Sequence, residues 1–194
     1  MKTISKSFGS AGAMPREVVY LDIETQKVSC APITMANGET LRRRWDPIMI
    51  GMARSVNGAL IAEVAYGWRD WAREFVLPAG TREVRYSATR EFDEMILKGR
   101  FTNARRAHLA ERPAGWPALR GADEVVWTNI KARSGLPRSP DIESRDIAFC
   151  DWTNRDRILE EAVVVHCLRD VLDLPLAERG LPAKTFRRVA AFLL

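Results

Sequence analysis

Two carboxylates stand close together near the end of an apolar run. The segment VVYLDIET carries Asp22 and Glu24 with a single isoleucine between them. Because residues two apart on a β-strand point to the same face, these negative groups would project together and repel each other. The spacing therefore predicts that positive charge lies beside them.

The predicted elements can bring two further acidic residues to the same place. Asp93 falls in the first turns of a predicted helix, and Asp170 lies in the longest helical pattern with His166 four residues before it. Residues at i and i+4 share a helix face, so His166 and Asp170 can point together toward a sheet. Four clustered carboxylates are costly unless hard cations neutralise them, and two divalent ions roughly 3.5–4 Å apart serve phosphoryl-transfer chemistry.

The strand pattern predicts how the first two carboxylates are held. Residues 18–24 are apolar on both faces, which is typical of a strand covered on both sides. A second strand is predicted over residues 47–55, and Asn57-Gly58 then signals a tight hairpin into a third strand, ALIAEVAYG. The segments EVRYS and DEVVWTNIK are predicted to be the fourth and fifth strands.

Helical patterns occur between and after these strands. The segments WRDWAREFVL and TREFDEMILKG, the second of which contains Asp93, both have apolar residues at helical spacing. The polar residues 133–151 are predicted to form a long loop. The helix that carries His166 is expected to begin near Thr153 or Asn154 and to end at Pro175, and AKTFRRVAAFLL is the last helix. This order predicts an α/β fold with a mixed β-sheet flanked by helices.

Three segments, YLDIET, YSATREFDEMIL and VVHCLRDVLDL, resemble in order the three motifs of the DEDD superfamily of 3′-5′ exonucleases. This group includes ribonuclease D-type enzymes and polymerase proofreading domains. The resemblance covers residues 17–174 and implies a ribonuclease H-like fold. It further implies hydrolysis of terminal phosphodiester bonds of RNA or DNA to nucleoside monophosphates. The implied ligands of two Mg²⁺ or Mn²⁺ ions are Asp22, Glu24, Asp93 and Asp170.

The third motif departs from the family pattern at His166. The branch that the chain most resembles has tyrosine at this spacing before the aspartate, whereas the other large branch has histidine one residue earlier. Since each helical residue rotates by about 100°, His166 should face the site as the tyrosine would. A side chain with a pKa near 6.5 can orient a metal-bound water or take its proton, so His166 joins the predicted catalytic residues.

Charge and cysteine content indicate the kind of partner and compartment. Lys and Arg number 30 against 25 Asp and Glu, and this net charge of +5 suits a polyanionic partner without requiring one. The expected partner is single-stranded or 3′-ended nucleic acid, with Arg42–Arg44 and Arg105-Arg106 as candidate phosphate contacts or solvated charge runs. Because Cys30, Cys150 and Cys167 form no CxxC pair, a reducing, cytoplasmic setting is expected.

Length and terminal composition predict the domain organisation. With 194 residues, the chain is expected to form one domain over residues 17–194, preceded by a flexible lead-in over residues 1–16. No membrane-spanning segment is predicted. Two alternatives to the exonuclease remain open at this point. One is a catalytically degenerate module of the same fold that binds nucleic acid without cutting it, and the other is a ribonuclease H-like endonuclease.

Overall fold

A computed structural model describes residues 1–34, 40–67, 75–87, 125–130 and 142–193. The strands in these ranges are β1 (Lys2–Ser10), β2 (Val18–Thr34), β3 (Thr40–Val56), β4 (Ala59–Tyr66), β5 (Glu83–Tyr86) and β6 (Val126–Asn129). The α-helices are α1 (Ser144–Phe149), α2 (Arg157–Arg179) and α3 (Ala183–Leu193), and a short 3₁₀ helix (Trp152–Asn154) precedes α2. The predicted last helix is therefore confirmed.

The six strands form one mixed sheet in the order β1-β4-β3-β2-β5-β6. Strands β1, β4, β3 and β2 pair antiparallel, whereas β5 is parallel to β2 and β6 is parallel to β5. The predicted α/β class with helices beside a mixed sheet is confirmed. The predicted hairpin is confirmed too, because Asn57 and Gly58 have positive φ angles of 50° and 78° between the paired strands β3 and β4.

Strand β2 separates two apolar layers. Val18 and Tyr20 belong to the core that contains α2, whereas Val19 and Leu21 belong to a second core on the opposite face. Both sets are buried, as the apolar residues on both faces predict. Side chains alternate along a strand, so Asp22 continues the face that α2 covers.

Helix α2 approaches the sheet closely at Gly51 of β3. A Cβ atom at this position would lie only 2.9 Å from Cys167 Sγ and 3.1 Å from the Cys167 carbonyl oxygen. Gly51 is also the direct partner of Asp22 in the β2–β3 register. The absence of a side chain therefore lets α2 rest on the sheet beside the first carboxylate.

The prediction of a flexible lead-in over residues 1–16 is wrong for β1. Lys2–Ser10 pairs antiparallel with β4, and Phe8 is buried with its ring 5.5 Å from that of Phe192 in α3. The strand lies at the edge of the sheet and most of its side chains are exposed. An edge strand of this kind needs few apolar residues, which is why its composition gives no strand pattern.

The predicted loop over residues 133–151 is wrong in its last part, where α1 forms. This helix spans six residues, too few for a helical period to be evident in the sequence. Its start is stabilised by Asp146 Oδ2, which accepts a hydrogen bond of 3.3 Å from the backbone N–H of Glu143. Residues 133–141 of the predicted loop lie outside the described residues.

Both predicted ends of the long helix are wrong. Helix α2 begins at Arg157, where Asp156 accepts a 2.8 Å hydrogen bond from the backbone N–H of Leu159 and acts as the N-cap. At the other end α2 continues through Pro175 to Arg179. Proline removes one helical hydrogen bond, but Pro175 is buried in the packed face of α2, so tertiary contacts outweigh this local cost.

The two helical patterns in the middle of the chain fall largely outside the description. For WRDWAREFVL the structure describes only Phe75, Val76 and Leu77, which are not helical, so the predicted helix is wrong in these three residues. Phe75 and Leu77 instead pack in the second core. The predicted helix TREFDEMILKG, including Asp93, lies outside the described residues. Strands four and five of the prediction are confirmed as β5 and β6.

Candidate functional site

The site forms where β2 and α2 face each other. Strand β2 supplies Asp22, which is half-buried, and Glu24, which is buried. The β2–β3 register shifts directly after Glu24, an irregularity that often stands next to functional residues and redirects the strand. Helix α2 supplies His166, which is 3% exposed, and Asp170, which is half-buried.

Two carboxylates face the same nitrogen of the His166 imidazole. Its Nε2 atom is 3.4 Å from Glu24 Oε1 and 3.4 Å from Asp170 Oδ2. Ligand atoms of Glu24, His166 and Asp170 all lie within 4.8 Å of one another, and the same holds for Asp22, Glu24 and Cys167. The structure thus brings together Asp22, Glu24, His166 and Asp170, four of the five residues predicted for the site.

Two further polar side chains hold the ring of His166. Ser144 Oγ, on the first turn of α1, is 3.1 Å from Nε2, and Arg169 Nη2 is 3.1 Å from Nδ1. Burial is the main cause that lowers the pKa of His166 from its ordinary value of 6.5. The charge of Asp170 raises this pKa and that of Arg169 lowers it, and the net direction favours the neutral imidazole.

Arg169 is a buried cation that contacts one of these acids, Asp170. Its Nε atom donates a 3.1 Å hydrogen bond to Asp170 Oδ1, and its side chain is only 8% exposed. We call the three acids Asp22, Glu24 and Asp170 the carboxylate cluster. Carboxyl groups as close together as these repel one another when they are ionised, and a bound cation relieves that repulsion.

This donor set can hold a metal ion. Carboxylate oxygens are the ligands preferred by Mg²⁺ and Mn²⁺, and the three carboxyl groups of the cluster come from two rigid elements. The grouping of the donor atoms within 4.8 Å fits a divalent cation. Asp93, the predicted fourth carboxylate ligand, lies outside the described residues.

Sequence reasoning missed three residues that shape the site. Arg169 is next to Asp170 in the third motif, but its contact with His166 depends on the conformations of both side chains. Ser144 falls within the predicted loop over residues 133–151, and only the packing of α1 brings it to His166. Gly51 gave a possible signal, because a glycine inside an apolar strand indicates a close backbone approach.

The predicted arginine contacts to nucleic acid gain no structural description. Arg105-Arg106 lies outside the described residues. Arg42–Arg44 belong to β3, but their side chains also lie outside what the structure describes. In the described part of the chain, no helix is long and apolar enough to cross a membrane.

Comparisons with protein-family models, with curated proteins and with solved structures found no match to this chain. Its chemistry must therefore be inferred from its own residues and their geometry.

Proposed function

We propose that the chain is a metal-dependent 3′-5′ exonuclease that releases nucleoside monophosphates from the 3′ ends of RNA or DNA. The observation that carries the proposal is the convergence of Glu24 with His166 and Asp170, whose ligand atoms lie within 4.8 Å of one another. These residues belong to the first and third of the three motifs that resemble the DEDD superfamily. Two distant segments of the sequence thus meet in the way that a shared metal site requires.

The sheet topology supports the same proposal. Strand β2 is followed by the antiparallel hairpin β3–β4 and then by β5 and β6, which continue the sheet in parallel on the other side of β2. A strand, a hairpin and further strands in a mixed sheet agree with the ribonuclease H-like fold that the motifs imply. We propose this fold for the chain, with the carboxylate cluster on the face that α2 covers.

The proposed cofactors are two divalent cations, Mg²⁺ or Mn²⁺. Asp22, Glu24 and Asp170 would hold them, together with Asp93 as the fourth ligand. When bound, such ions lower the pKa of a coordinated water and stabilise the departing 3′ oxygen of the phosphodiester.

The remaining side chains would serve the substrate and the ligands. His166 lies within reach of both Glu24 and Asp170, so it can hydrogen-bond to a water or a phosphate oxygen that binds between them. Arg169 holds Asp170 through Oδ1, and the close packing of α2 on Gly51 fixes the distance between the two halves of the site. These contacts would keep the ligands in place without movement during the reaction.

The proposal can be tested with oligonucleotides of RNA and DNA labelled at the 3′ or the 5′ end. We expect loss of the 3′ label and progressive shortening of the 5′-labelled strand with Mg²⁺ or Mn²⁺, and no reaction with a chelator. Asp170→Asn should abolish cleavage. Asp156→Asn is the matched control, because asparagine caps a helix as well as aspartate and this residue lies at the start of α2, ten residues before His166.

Other outcomes would identify the two alternatives. Cleavage of a circular single strand would indicate a ribonuclease H-like endonuclease, since an exonuclease needs an end. Binding of oligonucleotides without cleavage, and without metal uptake in calorimetry, would indicate a degenerate binding module. Cleavage that persists unchanged in Asp170→Asn would also contradict the proposal.

A further inference from the structure

We infer that Arg169 is a positioning residue that holds His166 with its ring proton on Nε2, so that His166 presents a hydrogen-bond donor to the carboxylate cluster. The catalytic meaning of this inference rests on the proposed function. Its structural content concerns which ring nitrogen carries the proton, and this can be measured without any activity.

The first step is the contact on the far side of the ring. Arg169 Nη2 lies 3.1 Å from Nδ1 of His166, and a guanidinium has N–H donors but no acceptor. Nδ1 must therefore accept the hydrogen bond with its lone pair. A proton on Nδ1 would place two donors against each other, so the contact favours the tautomer with its proton on Nε2.

The second step is the contact on the near side of the ring. Nε2 faces Glu24 Oε1 and Asp170 Oδ2, each at 3.4 Å, and Ser144 Oγ at 3.1 Å. Ionised carboxylates only accept hydrogen bonds, so a lone pair on Nε2 would be repelled by both of them, whereas an N–H group is attracted. The two sides of the ring thus favour the same tautomer independently.

The third step is the restraint on Arg169 itself. Its side chain is 8% exposed, and its Nε atom donates to Asp170 Oδ1 while Nη2 reaches His166. The planar guanidinium therefore bridges two residues of the site, and rotation would break both bonds together. Among the residues that the structure describes, none hydrogen-bonds to the buried Nη1 atom, so the described hydrogen bonds of the guanidinium are those of Nε and Nη2.

This arrangement assigns His166 a definite part in the proposed reaction. With its proton on Nε2, the ring is neither a metal ligand through that atom nor a proton acceptor. It is a donor that can orient the oxygen of a water or phosphate bound between Glu24 and Asp170. Arg169 also holds Asp170, a proposed metal ligand, and residues that orient metal ligands typically contribute about 10–100-fold to activity.

The tautomer can be read by ¹⁵N NMR of the full-length chain. The sequence contains two histidines, so a His108→Gln variant identifies the signals of His166. We expect a protonated Nε2 and an unprotonated Nδ1 at neutral pH, both with a chelator and with Mg²⁺ alone. A proton on Nδ1, a mixture of tautomers, or loss of the Nε2 proton when Mg²⁺ is added would overturn the inference.

Variants then test whether Arg169 causes this state. Arg169→Met removes the donor and should move the ¹⁵N signals toward a mixture of tautomers, whereas Arg169→Lys keeps a donor and should restore the Nε2–H form at least in part. Arg157→Met is the matched control on the same helix, because that arginine is 89% exposed and pairs with Glu161. A folded Arg169→Met protein with the wild-type tautomer would overturn the role of Arg169.

An activity measurement separates this inference from the proposed function. If the chain is an exonuclease, Arg169→Met should lower kcat by about 10–100-fold with a smaller change in KM. The Nε2–H tautomer in a protein that cleaves nothing would contradict the proposed function and leave the inference standing. Cleavage by a wild-type protein whose His166 shows mixed tautomers would support the proposed function and overturn the inference.

Discussion

The acids of helix α2 have two different kinds of surroundings, which is clearest when its ends are compared with its middle. At the N-terminal end, Glu160 accepts hydrogen bonds from Lys2 Nζ at 2.7 Å, Tyr66 OH at 2.8 Å and Arg155 Nε at 3.0 Å. The hydrogen bond from Lys2 is the largest cause that lowers the pKa of Glu160. Its negative charge is therefore well compensated.

The C-terminal end repeats this arrangement with other residues. Glu178 accepts hydrogen bonds from Tyr20 OH at 2.5 Å and from Arg85 Nη1 at 2.6 Å, and Arg179 donates to the same tyrosine. Burial alone would raise the pKa of Glu178, but the hydrogen bonds from Tyr20 and Arg85 outweigh it and lower the pKa. These bonds fasten the last turn of α2, beyond Pro175, to β2 and β5.

The middle of α2 differs because Asp170 meets two further acids there, Asp22 and Glu24 of β2, beside a buried histidine. Glu24 and Asp170 both face Nε2 of His166, and Arg169 donates a hydrogen bond to Asp170. At both ends of the helix, by contrast, single acids are held by several hydrogen-bond donors. We infer that the ends serve folding, whereas the grouped acids in the middle suit a metal ion.

The largest expected effect comes from removing one charge of the carboxylate cluster, which lies beside the middle of α2. Glu24→Gln keeps the size of the side chain but removes a metal ligand, and a loss of several kcal/mol of transition-state stabilisation lowers cleavage by about 10³-fold. Glu161→Gln, an exposed acid of α2, is the control. Equal losses of activity in both variants would contradict the comparison.

The next effect comes from the spacing between the middle of α2 and the sheet. Gly51→Ala places a methyl group 2.9 Å from Cys167 Sγ, so α2 must shift, and overpacking of this kind costs about 1–3 kcal/mol. A displacement near 1 Å can lower activity by about 10²-fold. Urea denaturation and oligonucleotide cleavage would measure the two effects.

Gly58→Ala provides the control for this variant. Its methyl group would meet no atom within 4 Å, but the φ of 78° is unfavourable for alanine. It should therefore lower stability and leave the activity of the folded protein unchanged. If Gly51→Ala behaves in the same way, the approach of α2 does not position the site.

A smaller effect, confined to stability, is expected at the C-terminal end of α2. Glu178→Gln should lower the free energy of unfolding by about 1–2 kcal/mol at pH 7 and leave cleavage intact. Because folding lowers the pKa of Glu178, its contribution is fully present above the ordinary value of 4.5 and is lost as the pH falls below it. The difference between variant and wild type should therefore shrink between pH 5 and pH 3 in urea titrations. A difference in stability that grows toward acid pH would contradict the claim that the ionised Glu178 stabilises the fold.

The smallest effect is expected for Lys2→Ala at the N-terminal end. Lys2 is 66% exposed, and exposed ion pairs contribute little to stability, so the thermal midpoint should not change measurably. Arg155→Ala should lower it, because Arg155 is largely buried and also donates to the carbonyl oxygen of Trp152. A larger fall of the thermal midpoint in Lys2→Ala than in Arg155→Ala would contradict this ranking.

Local patterns in the sequence predict the central strands well and the outer elements poorly. Strands β2 to β4 have apolar runs and an Asn-Gly turn, so neighbouring residues determine them. Strand β1 and helix α1 depend on distant partners: β1 on pairing with β4, and α1 on the strand face that it covers. The predicted end of α2 at Pro175 is wrong for the same reason, because Tyr20 and Arg85 hold Glu178 in the turn beyond it.

The residues of the site, too, are predicted only in part by local patterns in the sequence. The spacing of Asp22 with Glu24, and of His166 with Asp170, predicts two pairs that each share a face, and the structure places both pairs together. Their common position could be proposed only through the family resemblance. The contacts of Arg169 and Ser144 with the two nitrogens of His166 could not be predicted, because they depend on side-chain conformations and on the packing of α1.

The bare backbone at Gly51 also makes Cys167 a natural reporter of movement between α2 and the sheet. The thiol rests on Gly51 and is fully buried, so a thiol-modifying reagent can reach it only when the helix lifts from the strand. The rate of alkylation of Cys167 therefore reports how often α2 opens. A ligand that binds Asp22 together with Asp170 bridges strand and helix, and it should slow that rate in proportion to its occupancy.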